Sequence, residues 1–339
     1  MEESADRIHR HESENTPDVC PRSSGAARAQ PGAIKMTENM IMGKDVRIAD
    51  IAMLGSHDAG THNIKNIKGI SVCQNRNLLE QAEAGVQYFD LRVRTNSKGE
   101  WKFYHGEKNR GRGFNASGPA EPELEALFEY AKEHPKDLFL FKFHFDLSTN
   151  DEDQVAEFLE NYISKWKNQL IERSGNKLLG HVTMGESVHN RKNIGILAHH
   201  AGKGVKKNPY IWNYQANTYG GWGKTPKAGQ LIKHLTKNIR EKNTEEKILV
   251  SQTNLPAMIP PSLKVLLTPR AWLGLKSLAG SAHEEVAKGV ENAMNGRHNP
   301  GVISGDFVGT EYASTAKYTE LRDRHNAPFR RGKVRRARK

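Results

Sequence analysis

The stretch Ile51-Ala52-Met53-Leu54-Gly55-Ser56-His57-Asp58-Ala59-Gly60-Thr61 decides how the chain is read. A short apolar run passes through two small residues into a histidine and an acid. That is the pattern of a buried strand that delivers polar side chains at its C-terminal end. Related patterns follow. Val86-Gln87-Tyr88-Phe89-Asp90-Leu91-Arg92-Val93 is apolar but for an acid and a base two residues apart, and Trp101-Lys102-Phe103-Tyr104 leads into His105-Gly106. Near the end of the chain, Val302-Ile303-Ser304-Gly305-Asp306-Phe307-Val308 interrupts an apolar run with one acid. An unpaired charge inside a buried strand costs several kcal/mol, so Asp90, Arg92 and Asp306 need partners, either one another or the histidines.

Working outward, strands are predicted over Ile48 to Leu54, Val86 to Val93, Trp101 to Tyr104, Leu138 to Phe145, Asn193 to Ala198, Tyr210 to Tyr214, Ile248 to Ser251 and Val302 to Val308. Helical patterns lie between them: Asn77 to Ala84, Pro119 to Glu133, Asp151 to Glu172, Ala228 to Asn238 and His283 to Met294, with Ala313 to Arg324 closing the series. The Leu124, Leu127, Phe128 and Ala131 stripe has helical spacing, and Gly85 suits a helix C-cap. Strands alternating with helices predict an α/β fold with a mainly parallel sheet, open or closed into a barrel. In a barrel every parallel strand ends at one mouth, where His57, Asp58, Asp90, Arg92, His105 and Asp306 would converge. Two histidines, an arginine and carboxylates are the groups that acid–base attack on a phosphodiester requires. One histidine takes a proton, the other gives one, and the arginine holds the phosphate charge.

Composition narrows the classes. The 339 residues carry a net charge of +12, which favours an anionic partner such as a phosphorylated ligand, an anionic membrane surface or nucleic acid. Two cysteines, Cys20 and Cys73, exclude a disulfide framework and a four-cysteine metal site. Residues 1–40 are polar with no apolar period and read as a disordered leader, residues 41–326 as the catalytic barrel, and residues 327–339 as a basic tail. No apolar run approaches the length of a membrane span. The acidic start Met1-Glu2-Glu3-Ser4-Ala5-Asp6 lacks the basic and apolar regions of a secretory signal. The expectation is a cytoplasmic location or export by a signal-peptide-independent route, with peripheral membrane association.

Taken in order, Leu54-Gly55-Ser56-His57-Asp58, Gly85-Val86-Gln87-Tyr88-Phe89-Asp90-Leu91-Arg92, Phe103-Tyr104-His105-Gly106 and Gly301-Val302-Ile303-Ser304-Gly305-Asp306-Phe307 resemble the bacterial phosphatidylinositol-specific phospholipase C, X-domain family. The resemblance spans roughly residues 45 to 325. It implies a distorted TIM-type (β/α)8 barrel and a two-histidine mechanism. In that mechanism His57 is the general base toward the inositol 2-hydroxyl and His105 the general acid toward the departing diacylglycerol oxygen. Arg92 stabilises the phosphate, Asp306 orients His57, Asp58 anchors Arg92 and the leaving-group side, and Asp90 supports Arg92 or His105. Eukaryotic relatives carry an acid at the Arg92 position and bind calcium there, so the resemblance implies metal independence and no cofactor. It also implies an inositol phospholipid on an anionic membrane surface as partner, no specific nucleic acid, and a monomer.

The head-group side departs from the family. Phe143 stands where a lysine is expected and Ala216 where an aspartate is expected, leaving Lys142, His144 and His200 as replacement substrate contacts. The alternatives are a phosphodiesterase acting on a different or glycosylated phospholipid, and a non-catalytic basic lipid-binding protein. Gly111 to Gly118 lacks the Lys-Ser/Thr ending of a P-loop and reads as a mouth loop. Adjacent His199 and His200 point to opposite faces of a strand. Leu263 to Lys276 suits either an interfacial segment or a buried crossover helix. Trp222, in a glycine-rich loop, suits a membrane interface or the barrel rim.

Overall fold

The computed structural model describes residues 42–65, 71–106, 114–146, 151–199, 205, 207–241, 246–256 and 274–330. The strands are β1 (Met53–Ser56), β2 (Tyr88–Thr95), β3 (Trp101–His105), β4 (Phe114–Asn115), β5 (Phe139–Phe145), β6 (Ile194–His199), β7 (Ile211–Asn213), β8 (Thr218–Tyr219), β9 (Ile248–Gln252) and β10 (Val302–Gly305). The main helices are α1 (Leu78–Glu83), α2 (Glu121–Glu133), α3 (Glu152–Trp166), α4 (Ala228–Arg240), α5 (Gly274–Met294) and α6 (Thr315–Arg330). Eight strands follow one curled path, β7-β6-β5-β2-β1-β10-β9-β8. Every neighbouring pair on it is parallel. The two ends of the path, β7 and β8, are joined by a single helical turn, Tyr214–Asn217, and do not pair among the described residues. The barrel is therefore distorted and open at this seam. β3 and β4 leave the path as an antiparallel hairpin hung on β2.

Alternation sorts the side chains. On β5, Phe139, Phe141, Phe143 and Phe145 face outward into a cluster with Leu124, Leu127 and Phe128 of α2 and Phe158 and Tyr162 of α3. Leu140 faces inward and packs with Met53, Tyr88, Leu197, Trp212, Val250 and Val302 as the barrel floor. On the opposite wall α4 and α5 bury Leu231, Leu235, Val286 and Val290 against Leu54, Leu249 and Ile303. The helix starts are encoded locally. Asn77 accepts from the Glu80 backbone N–H at 2.9 Å and Asp151 from that of Gln154 at 2.7 Å, and each partner's side chain returns a bond to the cap.

Several boundaries move relative to the sequence expectation, among them the start of the Gly274–Met294 helix, and two of them place chemistry. Ile48–Asp50 is a 3-10 turn held by the Arg47–Asp50 ion pair at 2.7 Å, so β1 starts late and His57 falls directly beyond its end. β10 stops at Gly305, so Asp306 follows the strand rather than interrupting it, and Phe307 turns the chain with φ +54°. α3 ends at Trp166 instead of Glu172. Of the glycine-rich loop, Phe114–Asn115 forms β4; residues 111–113, most of the 263–276 segment, the leader, and the tail from residue 331 lie outside the described residues.

Candidate active site

The inner face carries polar groups immediately above the floor. Two residues beyond Tyr88, Leu140 and Leu197 stand Asp90, Lys142 and His199; beyond Asp90 and Lys142 stand Arg92 and His144. The register sets Asp90 beside Lys142, Arg92 beside His144 and His144 beside His199. Across β1 and β10, Ser56 is level with Gly305, so His57 and Asp306 leave adjacent strands side by side.

His57 is buried, and its Nδ1 lies 2.8 Å from Asp306 Oδ1. With the Nδ1 proton donated to that carboxylate, the neutral ring turns a basic Nε2 toward the mouth. Arg92 Nη2 is 3.2 Å and Asp58 Oδ2 3.6 Å from that nitrogen. Asp58 is the hub of the second half. Its carboxylate pairs with Arg92 Nε, reaches His105 Nε2 at 3.3 Å, and accepts from the Cys73 thiol at 3.8 Å. Asp58 occupies the left-handed region at φ +45°, an uncommon conformation for a residue with a Cβ. Gly60 follows because a Cβ there would collide with the Phe103 ring, on the strand that carries His105.

Asp90 takes the Lys142 ammonium at 2.7 Å and Arg92 Nη2 at 3.6 Å. Lys142 also lies over the Tyr214 ring, 4.8 Å from its centroid. His144 stands edge-on to His199, centroids 4.8 Å apart, and His199 to Tyr214 at 5.5 Å. Gln215 Nε2 is 3.3 Å from His199 Nε2.

Charge distribution follows from these neighbours. Burial opposes protonation of His57, but the Asp58 and Asp306 carboxylates outweigh it and raise its pKa above the ordinary 6.5. For Asp306, burial pushes the pKa up and the His57 contact only partly offsets it. Two carboxylates facing a single ring set the direction for His57. Burial lowers the pKa of His105, Asp58 opposes this, and Arg92 and His57 add to the lowering. Burial, with Arg92 and Lys142 beside it, lowers that of His144 to about 2 and keeps the ring neutral. Burial disfavours ionised Asp90, yet Lys142 and Arg92 overcome this and hold it far below the carboxylate range. Burial keeps Cys73 a thiol.

All six predicted catalytic residues, His57, Asp58, Asp90, Arg92, His105 and Asp306, thus meet in one cluster through these contacts. Asp90 supports Arg92 and Lys142. The inward lysine of β5 is Lys142, while Phe143 packs among the helices. His144 lies beside it; His200 lies outside the described residues, and His199 is the histidine set against His144. Sequence reasoning missed Gln74. Fully buried, it donates to the His57 carbonyl (2.8 Å) and the Gly305 carbonyl (3.0 Å) and accepts from Val308 N–H (3.0 Å), tying together the loops that carry His57 and Asp306. A polar residue beside Cys73 in a loop carries no periodic signal that could have marked it.

Among the described residues, three overlapping sets could offer metal ligands: His57, Cys73 and Asp306; Asp58, Cys73 and His105; His57, Asp58 and Asp90. Each contains a group in contact with the Arg92 guanidinium, so a divalent ion would lie next to a fixed positive charge. The sets are also poor in oxygen, whereas calcium takes six to eight such ligands.

The fold is shared with solved structures. One is a mutant of the phosphatidylinositol-specific phospholipase C from Staphylococcus aureus, with TM-score 0.63 and 16% identity over 84% of this chain and 94% of that one. Another is the phosphatidylinositol-specific phospholipase C from Listeria monocytogenes, with TM-score 0.61 and 17% identity over 84% and 96%. A third, of the S. aureus enzyme in a study of modulated membrane binding, has TM-score 0.61 and 15% identity over 84% and 95%. At these identities the agreement is one of fold. No protein-family profile and no curated protein sequence matches the chain.

Proposed function

We propose that this protein is a metal-independent phospholipase C-type phosphodiesterase that cleaves a phosphatidylinositol-type lipid at the glycerol–phosphate bond. One observation carries the reading. His57 is backed by Asp306 on Nδ1, and its Nε2 faces a guanidinium that a single carboxylate, Asp58, shares with a second histidine, His105.

His57 Nε2 takes the proton of the inositol 2-hydroxyl, and that oxygen forms a bond to phosphorus. Arg92 leaves its resting contact with His57 for the non-bridging phosphate oxygens, where charge accumulates. The bond from phosphorus to the glycerol oxygen breaks, and His105 delivers a proton to that oxygen. The products are diacylglycerol and a cyclic inositol phosphate, which water opens with the histidine roles reversed. Asp306 stabilises the imidazolium form of His57. In the resting site His57 binds its proton more tightly than His105, the reverse of what base and acid require. An anionic phosphodiester next to His105 raises its proton affinity and so prepares it to carry the proton the leaving group takes.

Trp222 supports action at a lipid surface. It follows β8, whose C-terminal end lies at the mouth, and it is 41% exposed. The head-group side, where His144 stands edge-on to His199 and His199 to Tyr214, favours a second reading of the substrate, a different or glycosylated phospholipid.

A lipid panel followed by phosphorus NMR tests both readings. The expected result is a cyclic phosphate product, unaffected by chelator and lost in His57→Ala and His105→Ala. Turnover of non-inositol lipids alone would overturn the inositol assignment, and binding without turnover of any lipid would overturn the enzymatic one.

A further inference from the structure

β2 carries a second inward arginine. Arg94 is buried, and three elements converge on it. Its Nε donates to Asn115 Oδ1 on β4 at 2.6 Å, and its Nη1 to Asp146 Oδ2 just past β5 at 3.2 Å. The guanidinium also lies over the ring of Tyr104 on β3, 4.8 Å from the centroid. Nothing in the chemistry assigned to His57, Arg92 and His105 uses Arg94.

The hairpin explains its place. β3 pairs with β2 through Trp101, Lys102 and Phe103, and the ladder then stops. His105 stands two residues past Phe103, and its strand partner is Phe114 of β4, as Asn115 is of Tyr104. The backbone beneath His105 is thus held through a two-residue strand. That strand is anchored by packing of Phe114 against the core, by a bridge from Ala116 to Ile64, and by the Arg94 side chain, which alone among the described residues ties it to the end of β5. Beyond His105, Gly106 turns the chain with φ +83°.

We infer that Arg94 is a positioning residue for the general acid: by clamping Tyr104 and Asn115 to the end of β5 it sets the His105 imidazole against Asp58 and the leaving-group oxygen. The role of His105 rests on the reading above, but the clamp is a feature of this chain's geometry. A planar guanidinium with two directed bonds and a ring face is needed, which an ammonium does not reproduce. A displacement of about 1 Å at a catalytic group costs up to about a hundredfold in rate.

The test compares leaving groups. Inositol 1-alkyl phosphate needs a proton on its leaving oxygen, whereas inositol 1-(4-nitrophenyl) phosphate does not. Arg94→Lys and the milder Asn115→Ala should lower kcat on the alkyl ester about 10- to 100-fold. They should lower it less than about threefold on the nitrophenyl ester, with KM little changed on either. Equal losses on both esters, or none, would overturn the clamp. Histidine side-chain NMR of the free protein decides the matter independently of substrate. The His105 ring signals should shift or broaden in both variants while those of His57 hold. If wild type cleaves neither ester, the proposed function fails, and the His105 signals still judge the clamp: unchanged signals in both variants sink it.

Discussion

At the floor of the barrel Tyr88, Leu140 and Leu197 pack as part of one apolar cluster. Two residues further along the same three strands stand Asp90, Lys142 and His199, and the interior becomes a network of charges and rings. On two of these strands both layers are closed to water to a similar degree, with Leu140 at 0% and Lys142 at 6% exposure. Depth therefore does not separate them. The floor gains free energy from desolvation and close packing, whereas each mouth group offsets its desolvation through a specific partner. A floor residue can be exchanged for one of similar volume; a mouth residue is tied to its partner's identity.

The largest effects should come from removing the chemistry of the mouth. Arg92→Met and His57→Ala should each lower turnover about a thousandfold or more, read as initial rate of cyclic phosphate formation. A loss within tenfold would mean that the mouth is not the reacting centre. Next, Asp90→Ala leaves Lys142 buried without its carboxylate and should cost about 3–5 kcal/mol by denaturant unfolding. The paired exchange Asp90→Leu with Lys142→Met extends the floor upward. It should recover most of that loss yet remain inactive, and if it stays as unstable as Asp90→Ala the two layers do not differ as argued. In the floor itself, Leu140→Ala should cost about 2–5 kcal/mol through the cavity it opens while kcat at low temperature stays near wild type. Gln74→Leu should cost about 1–3 kcal/mol by removing the side-chain partner of the His57 carbonyl and of the Val308 N–H, with kcat reduced about tenfold.

The smallest effect is the pH response of the mouth. The folded pKa of His57 lies above 6.5, so its protonation adds stability that is fully present below that pH. This contribution disappears as pH rises through the folded value. The Tm advantage of wild type over His57→Gln should accordingly shrink from about pH 6 to about pH 9. A growing advantage would reverse the assigned direction.

Much of this was legible in the chain. The strands of Tyr88–Thr95 and Phe139–Phe145 announce themselves by apolar runs, and the charges inside them were bound to seek partners. His57 was readable as a strand-end residue, whereas Asp306 read as interrupting a strand that stops at Gly305. The 3-10 turn at Ile48–Asp50 and the sharp turn at Phe307 depend on an ion pair and on backbone dihedrals that composition does not express. On β5 the inward residue is decided by which face meets the helices, so Lys142 and not Phe143 reaches Asp90.

The sequence by itself determined the fold class and the residue types at the mouth, because strand periodicity and the cost of a buried charge are local constraints. Tertiary structure alone decided the pairings. That Asp58 joins Arg92 to His105, that Gln74 ties two loops more than two hundred residues apart in sequence, and that Arg94 grips the hairpin under His105 all depend on how strands far apart in sequence are brought into register. Register comes from the packing of whole layers, and no short stretch of residues encodes it.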